Sequence, residues 1–258
     1  MAIGRTNCGA GGTTGGLPQF TYTGDYTLLD DGDKNWRIKL LTSGTLTFTK
    51  APGLVDVFLV GGGGGASGSV RRCGGGAGGK TLTTMISLEA TSYDIVIGSG
   101  GNAGTTAGTK GGDTTAFGLT ATGGGAGKGG SNTTDSKGGS GGTGGSGCDA
   151  GGGEDGSNGK GSWPGTGQGT TTREFGEEDG DLYSGGGAGG GNDSVKIGGM
   201  DWTGITYYGS SDASTTYKPV DRAANTGSGG CGGVNGNGIN QAGAKGGSGI
   251  VIIRNKRG

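Results

Sequence analysis

The sequence predicts an all-β fold: a small antiparallel β-sandwich carrying a bundle of polyglycine-II helices, with almost no α-helix. Three observations lead there. No segment sustains an apolar period of 3.6 residues. Several segments alternate β-branched or aromatic residues with polar ones, between Gly, Pro, Asn and Asp breakers. And 75 of the 258 residues are glycine, gathered into tracts, against roughly 7 % in ordinary proteins.

The strand-like segments come first in the chain. FTYTGDYTLLDDGD, NWRIKLLTSGTLTFTK, VDVFLV, KTLTTMISL, YDIVIG and TTAFGLTAT are followed, after long glycine-rich sequence, by GIVIIR. Within them LLDDGDKNW reads as a hairpin with an Asp-Gly turn, and LLTSGTLTF as a second hairpin turning at Ser43 and Gly44. The sandwich is expected from residues 17–60, 80–97, 113–122 and 249–254. A strong strand after the last tract implies that the two ends meet in one sheet.

The glycine tracts cover 61–79, 98–112, 123–161, 185–199 and 227–249. Flexible linker is the usual reading of Gly/Ser-rich sequence, but the non-glycine residues keep step. Ser140, Thr143 and Ser146 are three apart, as are Ala77 and Lys80. A polyproline-II-type helix has three residues per turn, so that spacing lines side chains along one edge and leaves bare faces where backbones can touch. Such helices make no internal hydrogen bonds, so each buried N–H and C=O needs a partner on a neighbour. The expected interior is backbone, and each buried bond left unmade costs on the order of 1–3 kcal/mol. Apolar residues, at 28 %, are too few for a side-chain core of the usual size.

Charge excludes several classes. Twenty basic and 21 acidic residues leave a net charge of −1, so no footprint for nucleic acid or an anionic membrane surface is visible. MAIGRTNCGAGG has no apolar core of a signal peptide, and DVFLV and GIVII are too short to span a bilayer. There is no His, which removes the commonest general base and metal ligand. Cys8, Cys73, Cys148 and Cys231 are far apart with no C-x-x-C pair. They read as small residues in glycine tracts, with disulfides or a Cys₄ zinc site as the other readings.

Catalytic patterns occur without their context. GGGAGGKT, Gly74 to Thr81, fits the phosphate-binding G-x-x-x-x-G-K-[ST] loop, but strand-like LTTMISL follows where a helix must start. Gly98, Gly100 and Ala103 imitate a dinucleotide fingerprint, again without a helix. Asp31, Asp33 and Asn35 have calcium-loop spacing, but Trp36 and Thr42 stand where Gly and Glu are required. Glu174, Glu177, Glu178, Asp179 and Asp181 make a denser acidic cluster, read as a solvated loop rather than a metal site. No cofactor, metal or enzymatic activity is expected.

Aromatic residues are the remaining signal. MDWTGITYYGSSDASTTYKP interrupts the glycine with Trp202, Tyr207, Tyr208 and Tyr217, and Trp163 stands alone in GKGSWPGTG. Aromatic side chains on loops above a rigid frame supply large contact area at small entropic cost. These five are the receptor-binding candidates; the competing reading is a small satellite core capping the bundle.

WRIKLLTSGTLTFTKAPGLVDVFLVGGGGG, YDIVIGSGG, GGDTTAFGLTATGG, GQGTTTREFGE, YSGGGAGGG, AANTGSGG and GGSGIVIIR together resemble the glycine-rich domain at the ends of bacteriophage tail fibre and minor tail proteins. More distantly the design is similar to the glycine-rich distal adhesin of T-even-like phages. The resemblance implies a non-catalytic virion protein at a tail or fibre tip, made in the host cytoplasm and binding a host-surface glycan or protein. Its expected partners are that receptor and other fibre or baseplate subunits, with a homotrimer as the family's habit. Residues 1–16 would be an attachment arm, and 17–258 one glycine-rich domain with a recognition insert at 200–220. A purely structural virion component and a glycan depolymerase are the alternatives.

Overall fold

The computed structural model describes residues 16–68, 74–128, 173–187, 221–236 and 239–257. Twelve strands follow in these residues: β1 Phe20–Tyr22, β2 Tyr26–Gly32, β3 Asn35–Leu40, β4 Gly44–Phe48, β5 Gly53–Val60, β6 Thr81–Leu88, β7 Ser92–Ile95, β8 Thr114–Ala116, β9 Leu119–Ala121, β10 Val234–Gly236, β11 Ile239–Gln241 and β12 Ile250–Asn255. The helical content among them is one 3₁₀ turn, Glu174–Gly176. The fold is all-β, and every ladder between these strands is antiparallel.

Alternation along the strands builds two layers. A five-stranded sheet has the order β2-β3-β12-β5-β6 and a three-stranded sheet the order β1-β4-β7. Trp36, Ile38 and Leu40 of β3, Val55, Val57 and Leu59 of β5, and Val251 and Ile253 of β12 lie on one face of the larger sheet. Leu46, Phe48 and Ile95 of the smaller sheet, with Ala116 and Ala121 of the β8–β9 hairpin, close the core from the other side. Rings seal it, Tyr93 standing edge-on to Phe117 with centroids 5.2 Å apart. The opposite face of the larger sheet is buried too, through Phe58, Val60, Ile250 and Ile252. Double burial is why VFLV, residues 57–60, and IVII, residues 250–253, read as unbroken apolar runs. β12 pairs with β3 on one side and β5 on the other, so the end of the chain does join its beginning.

Two turn expectations are corrected. The β2–β3 hairpin turns at Asp33 and Lys34, with φ of 50° and 65°, one step beyond the Asp-Gly pair. A bulge between Asp30 and Gly32 absorbs the extra residue. Ser43 and Gly44 make no hairpin, because β3 and β4 belong to different sheets. The segment is a corner held against the β1–β2 corner: the Asp25 amide donates to Thr42 Oγ1 at 2.7 Å and the Thr45 amide to Thr23 Oγ1 at 2.8 Å. A Cβ on Gly44 would stand 2.6 Å from the Gly24 amide nitrogen.

Beyond the sandwich the glycine segments pack on one another. Residues 61–68 leave the end of β5 and are surrounded by six neighbouring segments among the described residues. Gly61, Gly64 and Ser67 donate to Lys80, Ala77 and Gly74; Gly62 and Gly65 donate to Gly112 and Thr109; Gly63 and Ala66 donate to Gly247 and Ala244. These three neighbours run antiparallel to it. Three more run parallel, with Gly124 and Gly127 donating to Gly62 and Gly65, Gly101 and Gly104 to Gly63 and Ala66, and Gly230 and Gly233 to Gly64 and Ser67. Each donor direction recurs every third residue. The buried Thr114 fills a place the backbone does not, its Oγ1 donating to the Val60 carbonyl at 2.7 Å and accepting from the Gly98 amide at 3.0 Å. Residues 140–146, whose spacing suggested this pattern, lie outside the described residues, whereas Ala77 is fully buried in it.

Candidate functional site

The second face of the five-stranded sheet carries the densest chemistry among the described residues. Along β3 the side chains of Arg37 and Lys39 alternate with the core residues Ile38 and Leu40, so they emerge on that face. β12 places Arg254 beside them, since Arg254 is paired with Arg37 across one ladder and with Asp56 across the other. Three cations on a largely apolar face need counter-charges, and residues 173–187 supply them together with Asp31 and Asp56.

Glu174, only 1 % exposed, accepts from Arg37 Nη1 at 2.7 Å and from Lys39 Nζ at 2.9 Å. Lys39 also reaches Asp181 at 2.9 Å, and the Tyr183 hydroxyl donates to Glu174 at 3.3 Å. Arg37 clasps Asp31 through Nε at 2.8 Å and Nη2 at 3.0 Å, a two-pronged geometry that suits a guanidinium. Arg254 bonds Asp56 and Glu177 and lies 4.0 Å from the Phe175 ring centroid. Phe175, at φ 55°, and Tyr183 press on Phe58 with centroids 5.7 and 5.4 Å away. Residues 173–187 thus form a strap, riveted to the sheet by ion pairs and rings together.

The acidic cluster is a solvated loop at Glu177, Glu178, Asp179 and Asp181, which are exposed, and departs from that expectation at Glu174, which is buried. Glu174, Glu177 and Asp181 are spent on Arg37, Lys39 and Arg254, and no cluster of metal-binding side chains occurs among the described residues. Complementarity was the missed signal: basic residues at alternate positions of an apolar strand, and acids in REFGEEDGD at matching density. Asp31 serves the β2–β3 hairpin, accepting from Arg37 and Arg257. Gly74–Lys80 runs directly into β6, so no helix start follows the phosphate-loop pattern. Cys231 is buried, with the Arg222 guanidinium donating to its Sγ; Cys8, Cys73 and Cys148 lie outside the described residues.

Trp163, Trp202, Tyr207, Tyr208 and Tyr217 also lie outside the described residues, as does the expected arm at 1–16 except for its last residue. The flanks of the two aromatic segments are described. Lys128, before Trp163, accepts from the Gly74 amide, and Gly74 in turn accepts from Ser67. Gly187, before Trp202, donates to Gly76, three residues after Ser184 has met Gly79. The described chain before each segment, at Lys128 and at Gly187, thus runs away from the sheet, and the described chain after them resumes at Arg173 on the strap and at Asp221, which accepts from the Lys245 amide.

The profile of a family described as the glycine-rich domain matches residues 41–256. The chain belongs to that family. No curated protein matches it. The matched span begins at the β3–β4 corner and runs through the described glycine segments, the strap and β12, so it covers Glu174 and Arg254 and leaves out Arg37 and Lys39 of β3.

The glycine-rich domain's charges set its pH range. Burial, with the Asp25 charge beside it, pushes the Tyr22 hydroxyl up to about 12. Burial raises Tyr183 as well, against the opposing pull of Lys39. A folded value above the unfolded one means stability is fully present below pH 10 and is lost as pH rises through the folded value. Asp31 moves the other way: burial opposes ionisation, but hydrogen bonds from Arg37 and Arg257 outweigh it and hold the carboxyl below 3.8. Asp113 is lowered by the Gly123 amide first and Lys110 second. Their contribution is present above 3.8 and lost as pH falls through the lowered values. Urea unfolding at a series of pH values is expected to give a midpoint that is level between about pH 5 and 9 and falls on both sides. A midpoint that climbs above pH 10 would contradict the assignment.

Proposed function

We propose that this glycine-rich domain protein is a non-catalytic bacteriophage adhesin, displayed at a tail or fibre tip, that binds a glycan or protein on the host bacterial surface. In this reading the three-step glycine segments are polyglycine-II helices and act as a stiff pedestal. The observation that carries it is that the described chain leading into both aromatic segments, at Lys128 and at Gly187, runs along the bundle away from the sandwich. Supporting it are the resemblance of the strand and tract motifs to phage fibre domains, and the suitability of aromatic residues on a rigid frame for recognition. Residues 1–16 then join the domain to a shaft or neighbouring subunit.

The test is adhesion of the full chain to cells of candidate Gram-positive and Gram-negative hosts, wild type against Trp202→Ala/Tyr207→Ala/Tyr208→Ala. Losing a cluster of aromatic anchors is expected to weaken attachment by at least about a hundredfold, with the melting temperature unchanged. Equal adhesion of the two proteins to a susceptible host would leave a structural virion component as the better reading. Release of sugar from purified cell wall would favour a depolymerase.

A further inference from the structure

We propose that Lys39 and Asp181 condense into an intramolecular amide, with Glu174 as the proton carrier, so that the strap is joined to β3 by a covalent bond the chain makes itself. The amine, the carboxyl it acylates and a second carboxyl to carry protons meet at one point. Lys39 Nζ lies 2.9 Å from Asp181 Oδ2 and 2.9 Å from Glu174 Oε2. Lys39 is mostly buried and Glu174 almost wholly so, while Asp181 opens to solvent and gives the released water a way out.

The strap holds both carboxyls on the amine. It doubles back on itself: the Glu174 amide donates to the Asp181 carbonyl at 2.8 Å, Arg173 bridges Leu182 antiparallel, and Arg173 Nη1 donates to the Gly180 carbonyl at 2.9 Å. Arg37 Nη1 fixes Oε1 of Glu174 at 2.7 Å, and Oε2 is left to Lys39 and the Tyr183 hydroxyl. Reacting groups held in one geometry reach effective molarities on the order of 10⁵ M or more, which favours condensation over its reversal by water.

Charge favours closure as well. The Lys39 and Asp181 charges disappear together, and what remains is balanced, Arg37 and Arg257 against Asp31 and Glu174. Burial opposes the charge on Lys39, but Tyr183, Asp181 and Glu174 together raise its pKa above the usual lysine value, so the resting state is the ion pair. Closure happens once per molecule, so a sparsely populated neutral state suffices.

The step balances without a co-reactant. A proton moves from Nζ to Asp181 Oδ2 along their hydrogen bond, leaving a neutral amine beside a neutral acid. The nitrogen lone pair attacks Cγ, and the Nζ–Cγ bond forms while Glu174 Oε2 takes a second proton from the nitrogen. The Cγ–Oδ2 bond then breaks as Glu174 passes that proton to the departing hydroxyl, which leaves as water. Ammonium and carboxylate have become amide and water, and Glu174 is again a carboxylate bonded to Arg37.

Intact mass spectrometry of the full chain, unfolded before measurement, tests this. Wild type is expected to weigh about 18 Da less than its sequence, one water, and to give a branched tryptic peptide joining residues 38–50 to 174–196 through Lys39 and Asp181. Asp181→Asn must lose ammonia instead and is expected to fall about 17 Da short of its own sequence mass, with the same branch. Lys39→Arg keeps the positive charge without the lysine amine, and is expected to show its full mass and no branched peptide. Glu174→Gln removes the proton carrier and is expected to slow closure at least about a hundredfold, read as the branched fraction against time after purification. A wild type of full mass, a mass loss without the branched peptide, a branch at Glu174 in place of Asp181, or equally fast closure in Glu174→Gln would overturn the proposal.

Discussion

Gly64→Ala is expected to destabilise the protein by about 4 kcal/mol or more, enough to prevent a cooperative fold. A Cβ there would lie 1.9 Å from the Gly125 carbonyl oxygen and 2.6 Å from its carbon, whereas carbon and oxygen ordinarily approach to about 3.3 Å. Something must move by more than an ångström. The opposing segment cannot give way freely, since Gly125 accepts from Ala77 while Gly124 and Gly127 donate to Gly62 and Gly65. Displacing it leaves buried amides unpaired at about 1–3 kcal/mol each. Gly118→Ala is the comparison: its φ is +74° but nothing lies within 4 Å of the added Cβ, so only backbone strain of about 1–2 kcal/mol is incurred. Urea unfolding of both variants, with amide exchange of Gly62–Gly68 in the wild type, checks the argument. Equal midpoints for the two, or exchange of those amides as fast as in a free peptide, would mean that the backbone network is not what holds the interior.

Strands were legible in the sequence where one face is buried, because alternation survives there: Trp36, Ile38 and Leu40 against Arg37 and Lys39 reveal both the strand and its two faces. The return of GIVIIR to the first sheet was legible because a strong apolar strand follows the last glycine tract and needs a ladder to join. The Ser43-Gly44 corner was not, because a tight hairpin and a crossover between sheets use the same small residues, and only the partner corner at Thr23–Asp25 distinguishes them. Nor was β10–β11 anticipated, because VNGNGINQ is embedded in glycine. The glycine network was legible as a period of three, yet which segment meets which was not. A naked backbone carries no side-chain label by which to recognise its neighbour, and the pairing is set by where each strand delivers its tract. The strap shows the converse limit, for an acidic run looks the same in sequence whether it faces water or Arg37 and Lys39.

Glu174→Ala is expected to cost about 3–5 kcal/mol, the range for stripping one partner from a buried ion pair. The substitution would leave Lys39 with the exposed Asp181 as its carboxylate and the Tyr183 hydroxyl beside it, and Arg37 with Asp31, on a face otherwise lined by Phe58, Ile250 and Ile252. Glu174→Gln keeps the volume and one acceptor while losing the charge, so a smaller loss of about 1–3 kcal/mol is expected. The damage should also be local. Phe175 and Tyr183 still have Phe58 to pack against, but without the ionic rivets the strap opens before the sheet does. Limited proteolysis is expected to cut Glu174→Ala between Arg173 and Tyr183 under conditions where the wild type is resistant. High salt should rescue little of the difference, because the charges it would have to screen are buried. A variant with the wild-type unfolding midpoint and no new cleavage would show that the rings alone hold the strap. The distinction matters for the reading of the molecule as an adhesin, because the strap is the only described chain between the segment bearing Trp163 and the one bearing Trp202. Loosening it would release one of the two anchors of each segment, the others being Lys128 and Asp221 in the bundle.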